Sequence, residues 1–263
     1  MYLKFNTVSE VSRVLKTFIA YLKRPDLYPE LGRKIVKNTV NRGNAFKGKE
    51  KTNSWAASRA VSQKEAVLKL FGTDIDSFRN IYSDILAEAE RRQNECPIKM
   101  GGAGALELIY YSCEFANAKN AVETGVAYGW SSLAALLSLE KRNGTLYSSD
   151  MPYLAQDGDQ YVGYVVPENL KPNWKLFRFA DKESLPKIFV ESPSFDVVHY
   201  DSDKSYNGRF WAYGELYKRL RKGGVFISDD IGDNSAYQDF CEKNAIETTV
   251  VEYEGKYIGV FIK

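Results

Sequence analysis

The sequence predicts an α/β protein: a doubly wound, mostly parallel sheet of seven strands, closed by an antiparallel C-terminal hairpin and preceded by a helical extension. Three observations carry this. From Cys96 onward, short apolar runs rich in β-branched and aromatic residues alternate with helical stretches. The last two runs are separated only by a turn. Residues 1–95 show helical rather than strand periodicity.

In the extension, Thr7-Val-Ser-Glu10 reads as a capping box before the stripe Val8, Val11, Val14, Leu15, Phe18, Ile19 and Leu22. Ser62-Gln-Lys-Glu65 repeats the device before Ala66, Val67, Leu70 and Phe71. A third stripe, Ile75, Phe78, Ile81, Tyr82, Ile85 and Leu86, runs on toward Arg92 as one helix. Residues 41–54, rich in Gly, Asn and Lys, read as a loop. The predicted division is a helical unit over 1–95 and a ligand-binding domain over 96–263.

Strands are predicted at Ala121–Thr124, Thr145–Ser148, Trp174–Phe179, Phe195–Tyr200, Val225–Ser228, Ile246–Tyr253 and Tyr257–Ile262. Helices fall at Ser131–Glu140, Lys182–Phe189, Tyr206–Leu220 and Ser235–Lys243. Right-handed βαβ crossovers then make the sheet parallel and cover both faces. Glu254-Gly255-Lys256 joins the last two strands as a hairpin, so one of them runs against the rest.

Composition narrows the function classes. At 44% hydrophobic and 27% charged residues, the 263-residue chain matches an ordinary globular protein. No run of eighteen apolar residues exists to span a membrane. The N-terminal stripe is interleaved with charges, unlike a secretion signal. Cys96, Cys113 and Cys241 lack metal-site spacing and read as reduced thiols of a cytoplasmic protein. The only histidine, His199, reads as a core residue or a support for its neighbours, and mechanisms needing several histidines are hard to build. Residues 1–100 carry a net +8 and the remainder −6. No block of like charge stands out, so the basic half reads as solvated helix faces and nucleic acid is not the expected partner.

The first strand ends in Glu123-Thr124-Gly125, and the turn continues Val126-Ala127-Tyr128-Gly129 into a helix at Trp130 and Ser131. Ligands of open α/β sheets sit beyond such a strand end. A dinucleotide enzyme would show G-x-G-x-x-G facing a pyrophosphate. Here G-x-A-x-G follows an acid, and a carboxylate suits a cationic ligand better than a pyrophosphate. This argues against a nicotinamide oxidoreductase. The second strand ends at Asp150, where a ribose diol would bind, and the third at Ala180-Asp181. The fourth gives Asp201-Ser-Asp203-Lys204 and the fifth Asp229-Asp230. The last two strands are neighbours, so Asp201, Asp229 and Asp230 converge, and three close carboxylates call for protonation or a cation. An oxygen-only set suits Mg²⁺ or a similar ion. Capping of the following helix is the plainer alternative for these acids.

The pattern E-x-G-x-x-x-G, with acids at the successive strand ends, resembles the first motifs of class I S-adenosylmethionine-dependent methyltransferases. The closing hairpin is also how that Rossmann-like fold ends. Asp201-Ser-Asp203-Lys204 with Asp229-Asp230 resembles the metal-dependent O-methyltransferases of the caffeoyl-CoA and catechol type, and their relatives acting on macrolide sugars. The resemblance covers roughly residues 100–263 at fold level. It implies that Glu123, Gly125, Ala127, Tyr128, Gly129, Ser131, Asp150, Ala180 and Asp181 bind S-adenosylmethionine. It further implies that Asp201, Asp229 and Asp230 hold the metal and that Lys204 takes the proton of an acceptor hydroxyl, with Asp201 beside it. The implied acceptor is a small molecule, a sugar or a glycan precursor. Residues 151–173, long for a connection, could wall the acceptor or pack on the sheet edge. The N-terminal helices could cover the acceptor or build a homodimer. Rival readings are a metal-free class I methyltransferase, in which Asp201 or Asp203 positions the nucleophile, and a non-catalytic binding module on the same fold.

Overall fold

A computed structural model describes residues 17–40, 48–154 and 158–263, without the side chains of 36–40. The capping box at Thr7–Glu10 lies outside these residues. So do 41–47 of the expected loop and 155–157 of the long connection.

Among the described residues the helical part begins with α1 (17–22) and α2 (Tyr28–Val40). Helix α3 (Lys49–Ala57) occupies ground where the sequence predicts loop. Gly48, left-handed at φ +85°, starts it, and burial of Thr52 and Ala56 overrides the weak local propensity. Strand β1 (Ala60–Ser62) follows and was not foreseen, because three residues carry no readable alternation. Ser62 ends that strand and caps α4 (Gln63–Phe71) through the full box with Glu65. The third stripe is not one helix. It breaks at Tyr82 into α5 (Asp76–Ile81) and α6 (Ser83–Glu95).

Beyond lie α7 (Leu106–Phe115), β2 (Asn120–Thr124), α8 (Trp130–Leu139), β3 (Thr145–Ser149) and β4 (Trp174–Phe177). They continue with α9 (Asp181–Glu191), β5 (Phe195–Tyr200), α10 (Tyr206–Arg219) and β6 (Leu220–Ser228). The chain closes with α11 (Ala236–Lys243), β7 (Thr249–Tyr253) and β8 (Lys256–Ile262). Among the described residues the sheet therefore has eight strands rather than seven, in the order β1-β7-β8-β6-β5-β2-β3-β4. All pairs are parallel except those of β8, which runs against β6 and β7 as the hairpin required. Glu254 and Gly255 turn that hairpin with φ of +49° and +76°, the two positive angles a tight hairpin of right-twisted strands needs.

Alternation along each strand feeds two cores. Ala121, Leu146, Val197 and Ile227 pack against α4 to α8 on one face. Val122, Tyr147, Val198 and Phe226 pack against α9 to α11 on the other. Ala66, Val67, Phe78, Leu86 and Ala89 of the extension join the first core, and β1 pairs with β7. Residues 60–95 are thus built into the sheet domain's own core. No helix among the described residues is long and apolar enough to cross a membrane.

Candidate active site

The carboxyl ends of β2 to β6 open on one cavity of about 910 Å³. Its floor is the turn between β2 and α8. Gly125, Ala127 and Gly129 all stand in the left-handed region, at φ +84°, +50° and +94°. Gly125 is forced twice over, because a Cβ there would run into the Asp201 carbonyl oxygen. A Cβ on Gly129 would come within 2.8 Å of the Gly163 Cα. Ala127 adopts the same conformation while carrying a Cβ, which costs about 1 kcal/mol or more. The strand ends are laced together: Gly125 N donates to Ser149 O at 2.7 Å and Asp201 N to Thr124 O at 2.8 Å.

Glu123 is buried behind this floor. Its carboxylate accepts from Ser131 Oγ at 2.9 Å, Ser148 Oγ at 2.7 Å and Ser132 Oγ. It ties the first turn of α8 to β3 instead of facing the cavity. Tyr128 also points away. Its hydroxyl donates to Ile98 O at 2.7 Å and accepts from Met100 N at 3.2 Å, which fixes the approach to Gly101–Gly104 on the cavity wall. Of the six turn residues expected at the cofactor, Gly125, Ala127 and Ser131 border the cavity, and Glu123, Tyr128 and Gly129 support it from behind.

Asp150, Ala180 and Asp181 all border the cavity. Asp150 Oδ2 lies 3.0 Å from Arg178 Nη1, yet the two are out of line and neither is satisfied as a hydrogen-bonding atom. Burial pushes this carboxyl up to about 6 in spite of Arg178. A buried acceptor of this kind, beside a backbone stripped of side chains, fits a nucleoside whose ribose hydroxyls would donate to it. Asp181 accepts from Ser149 Oγ at 3.1 Å and from Ser202 Oγ, and burial lifts it to about 6 as well.

The second constellation forms as expected in place but not in partners. Asp201, Asp229 and Asp230 all border the cavity. Lys204 bridges two of them, pairing with Asp201 Oδ1 and standing 2.8 Å from Asp230 Oδ2, while Lys256 lies 3.7 Å from Asp230 Oδ1. His199 Nε2 is 3.6 Å from Asp229 Oδ1. Burial raises the Asp201 carboxyl to about 6, with the Asp229 charge adding to the effect. Burial works against the Lys204 charge, but Asp201 and Asp230 outweigh it and hold its pKa above the ordinary lysine value. Among the described residues, no three His, Cys, Asp or Glu side chains already form a metal cage.

Asp203 closes the turn into α10, accepting from Ser205 N and Ser205 Oγ, both at 2.9 Å. Asn234 Oδ1 accepts from Ala236 N at 3.2 Å just ahead of α11. Asp233 instead pairs with Lys49 of α3 at 2.9 Å.

Four contributors escaped sequence reasoning. Arg178 falls inside the strand predicted over Trp174–Phe179 and shows its place only because β4 ends at Phe177. Arg209 of α10 had no signal. It is fully buried, and its Nη1 donates to the Asp230 carbonyl at 2.7 Å, holding that residue at φ +53°. Trp211 borders the cavity, with Lys182 5.4 Å above its ring. Helix α2 brings Glu30, Arg33 and Lys34 to the cavity mouth, where Arg33 pairs with Glu183 of α9 and, at 2.9 Å, with Glu30. The connection after β3 divides. Residues 151–154 border the cavity, while Gly163 N and Val165 N donate to Ala127 O and Tyr128 O at 2.9 and 3.1 Å, clamping the turn from outside.

Residues 122–231 match a family described as a methyltransferase domain. No curated protein matches the sequence. Among solved structures, the chain is similar to an O-methyltransferase from Bacillus cereus in complex with SAH, at 15% identity and TM-score 0.53, covering 79% of this chain and all of that one. It is also similar to the O-methyltransferase TomG from Streptomyces achromogenes, involved in tomaymycin synthesis and bound to SAM, at 17% identity and TM-score 0.52, over 68% and 90% of the two chains. A methyltransferase from Podospora anserina, SAH-bound, gives 13% identity and TM-score 0.51 over 68% and 87%. At such identities these three speak for the fold. The family match covers the strands and turns that build the crevice, so the methyltransferase-domain likeness lies on the part of the chain that lines the cavity.

Proposed function

We propose that this enzyme methylates a hydroxyl group of a small molecule, a sugar or a glycan precursor. The observation that carries the reading is the meeting of Asp201, Asp229 and Asp230 with Lys204 at the acceptor side of the cofactor crevice. S-adenosylmethionine, when bound, supplies a sulfonium methyl group to in-line attack by the acceptor oxygen. Gly125, Ala127 and Ser131 then carry its methionine end, Asp150 accepts from its ribose, and Ala180 and Asp181 border its base. Asp201 faces the cavity and takes the acceptor's proton as the new carbon–oxygen bond forms. Lys204 holds Asp201 in place and balances its charge.

The donor set also suits a hard divalent cation such as Mg²⁺, with Asp201, Asp229 and Asp230 as its ligands. Bound there, it would lower the pKa of the acceptor hydroxyl. One observation favours the metal-free alternative: the lysine ammonium already sits between Asp201 and Asp230. In this reading α2 covers the acceptor, its Arg33 locked to Glu183, in preference to serving a homodimer. Residues 96–263 carry nearly all of the site and the extension lids it. The free, buried thiols of Cys113 and Cys241, both raised to about 12 by burial, suit a reducing compartment such as the cytoplasm.

The test is calorimetric binding of S-adenosylhomocysteine, followed by labelled methyl transfer to catechols, hydroxycinnamates and sugars, each with EDTA and with Mg²⁺. Micromolar binding and transfer to oxygen are expected. Binding of NAD without S-adenosylhomocysteine would sink the reading, and transfer confined to nitrogen acceptors would remove its hydroxyl part.

A further inference from the structure

Each carboxylate of the acceptor trio already faces a basic group of this chain. Asp201 and Asp230 share Lys204, with Lys256 a second cation 3.7 Å from Asp230, and Asp229 has the His199 ring at 3.6 Å. His199 is buried, borders the cavity and has neither ring nitrogen in a hydrogen bond. The carboxylates, rather than Lys204, form the cavity wall. The ammonium therefore draws Asp201 and Asp230 from the side.

The backbone around the lysine is fixed. Asn234 Nδ2 donates to Lys204 O at 2.8 Å, and Arg209 pins the Asp230 carbonyl from below. The side chain is less confined, with 39% of its surface exposed. A four-carbon stem on a fixed backbone lets the ammonium swing between its two carboxylates and solvent without disturbing the strand ends.

We infer that Lys204 is a tethered counter-cation that competes with a divalent metal for Asp201 and Asp230, so that metal occupies the trio only when the ammonium leaves. The inference rests on the reading of the trio as an acceptor-side cation site. A carboxylate oxygen engaged by an ammonium is not free to coordinate, and the two positive charges repel at close range. Both effects are strongest where the carboxylates are shielded from water and are screened where the ammonium reaches solvent. The lysine thus sets metal affinity, and the site stays electrically balanced in either state.

The experiment is titration of the full-length protein with Mn²⁺, read by the electron paramagnetic resonance of the free ion, with no acceptor present. Wild type should bind at millimolar concentration or more weakly. Lys204→Met, which keeps the stem and removes the charge, should bind at least about tenfold more tightly. Lys204→Arg should stay like wild type, and Asp230→Asn added to Lys204→Met should abolish the gain. S-adenosylhomocysteine affinity, measured on the same samples, should be equal in all four and so reports an intact fold. Equal Mn²⁺ affinity in wild type and Lys204→Met would overturn the inference, as would no binding by either. Loss of S-adenosylhomocysteine binding in wild type itself would instead overturn the methyl-transfer reading.

Discussion

Glu123 and His199 are register partners across the β2–β5 ladder, with His199 Nδ1 3.9 Å from Glu123 Oε2. The same ring reaches toward Asp229 on its other side. The chain's one histidine therefore separates the acid beneath the cofactor turn from the acids at the acceptor. Burial opposes its charge, but Asp229 and then Glu123 outweigh burial and push it up to about 10. Replacing it leaves two carboxylates without the group between them. His199→Ala should lose about 3 kcal/mol in urea unfolding. Adding Glu123→Gln should recover part of that loss. Strictly additive losses would show that the pair is not coupled.

Gly125 has no room for a side chain and a backbone angle that resists one. Gly125→Ala should push β2 and β5 apart at the cavity floor. The expected cost is at least about 2 kcal/mol of stability, with S-adenosylhomocysteine affinity down by tenfold or more in calorimetry. An Ala variant that melts and binds like wild type would mean that the floor is more pliable than its contacts indicate.

Ala127 presents the opposite case. Its left-handed backbone carries a Cβ, which a Cβ built on Gly101 would meet at 3.6 Å. Ala127→Gly should relieve the conformation and stabilise the fold by about 0.5–1 kcal/mol, after the greater unfolded-state entropy of glycine is subtracted. Scanning calorimetry should show a midpoint about 2 °C higher, with cofactor affinity retained.

The carboxyl of Asp150, raised to about 6, makes cofactor affinity depend on pH. Only the ionised form accepts from both ribose hydroxyls, so affinity for S-adenosylhomocysteine should fall as pH drops below about 6, approaching tenfold per unit. Stability without cofactor should move the other way. The folded state holds this proton more tightly than the unfolded chain does, so the cost of the buried charge disappears as pH falls from 6 toward 4. Asp181 titrates in the same range, and Asp150→Asn separates them. That variant should bind more weakly at pH 7.5 and lose most of the slope; an unaltered slope would transfer the effect to Asp181.

The Arg33–Glu183 pair joins α2 to the first turn of α9. Both side chains are partly exposed, so Glu183→Gln should change global stability by less than about 1 kcal/mol. Limited trypsin digestion should nevertheless cut faster at Arg33 and Lys34, by a few-fold, because α2 then opens locally. An unchanged cleavage rate would mean that other contacts hold the helix down.

The strand ends were legible because their chemistry is local. Asp150, Asp181, Asp201, Asp229 and Asp230 each follow an apolar run, and parallel topology brings every such position to one edge of the sheet. The capping box at Ser62 was legible for the same reason. Side-chain direction was not. Glu123 and Tyr128 sit in the turn, but burial and three serine hydroxyls turn the first inward, and the loop at Ile98–Met100 claims the second. Strand β1 and helix α3 form because of what they meet, and their own residues signal neither. Arg209 illustrates the extreme: a helical arginine reads as solvated, and only the Asp230 corner above it accounts for its burial.

Strand β1 also bears on what the sheet edge offers to other molecules. Three residues, Ala60 to Ser62, cover the outer side of β7, whose Val250 and Val251 are buried. Without them that strand would present open amide and carbonyl groups beside valine side chains, the kind of border that recruits strands from other molecules. Beyond Ser62 the chain turns at once into α4, so the covering strand is too short to template a neighbour. A fragment beginning at residue 96 would keep the cofactor turn and the carboxylates, yet expose the hairpin's flank to intermolecular zippering. The segment that looks most dispensable for chemistry is thus the one that guards the catalytic sheet against aggregation.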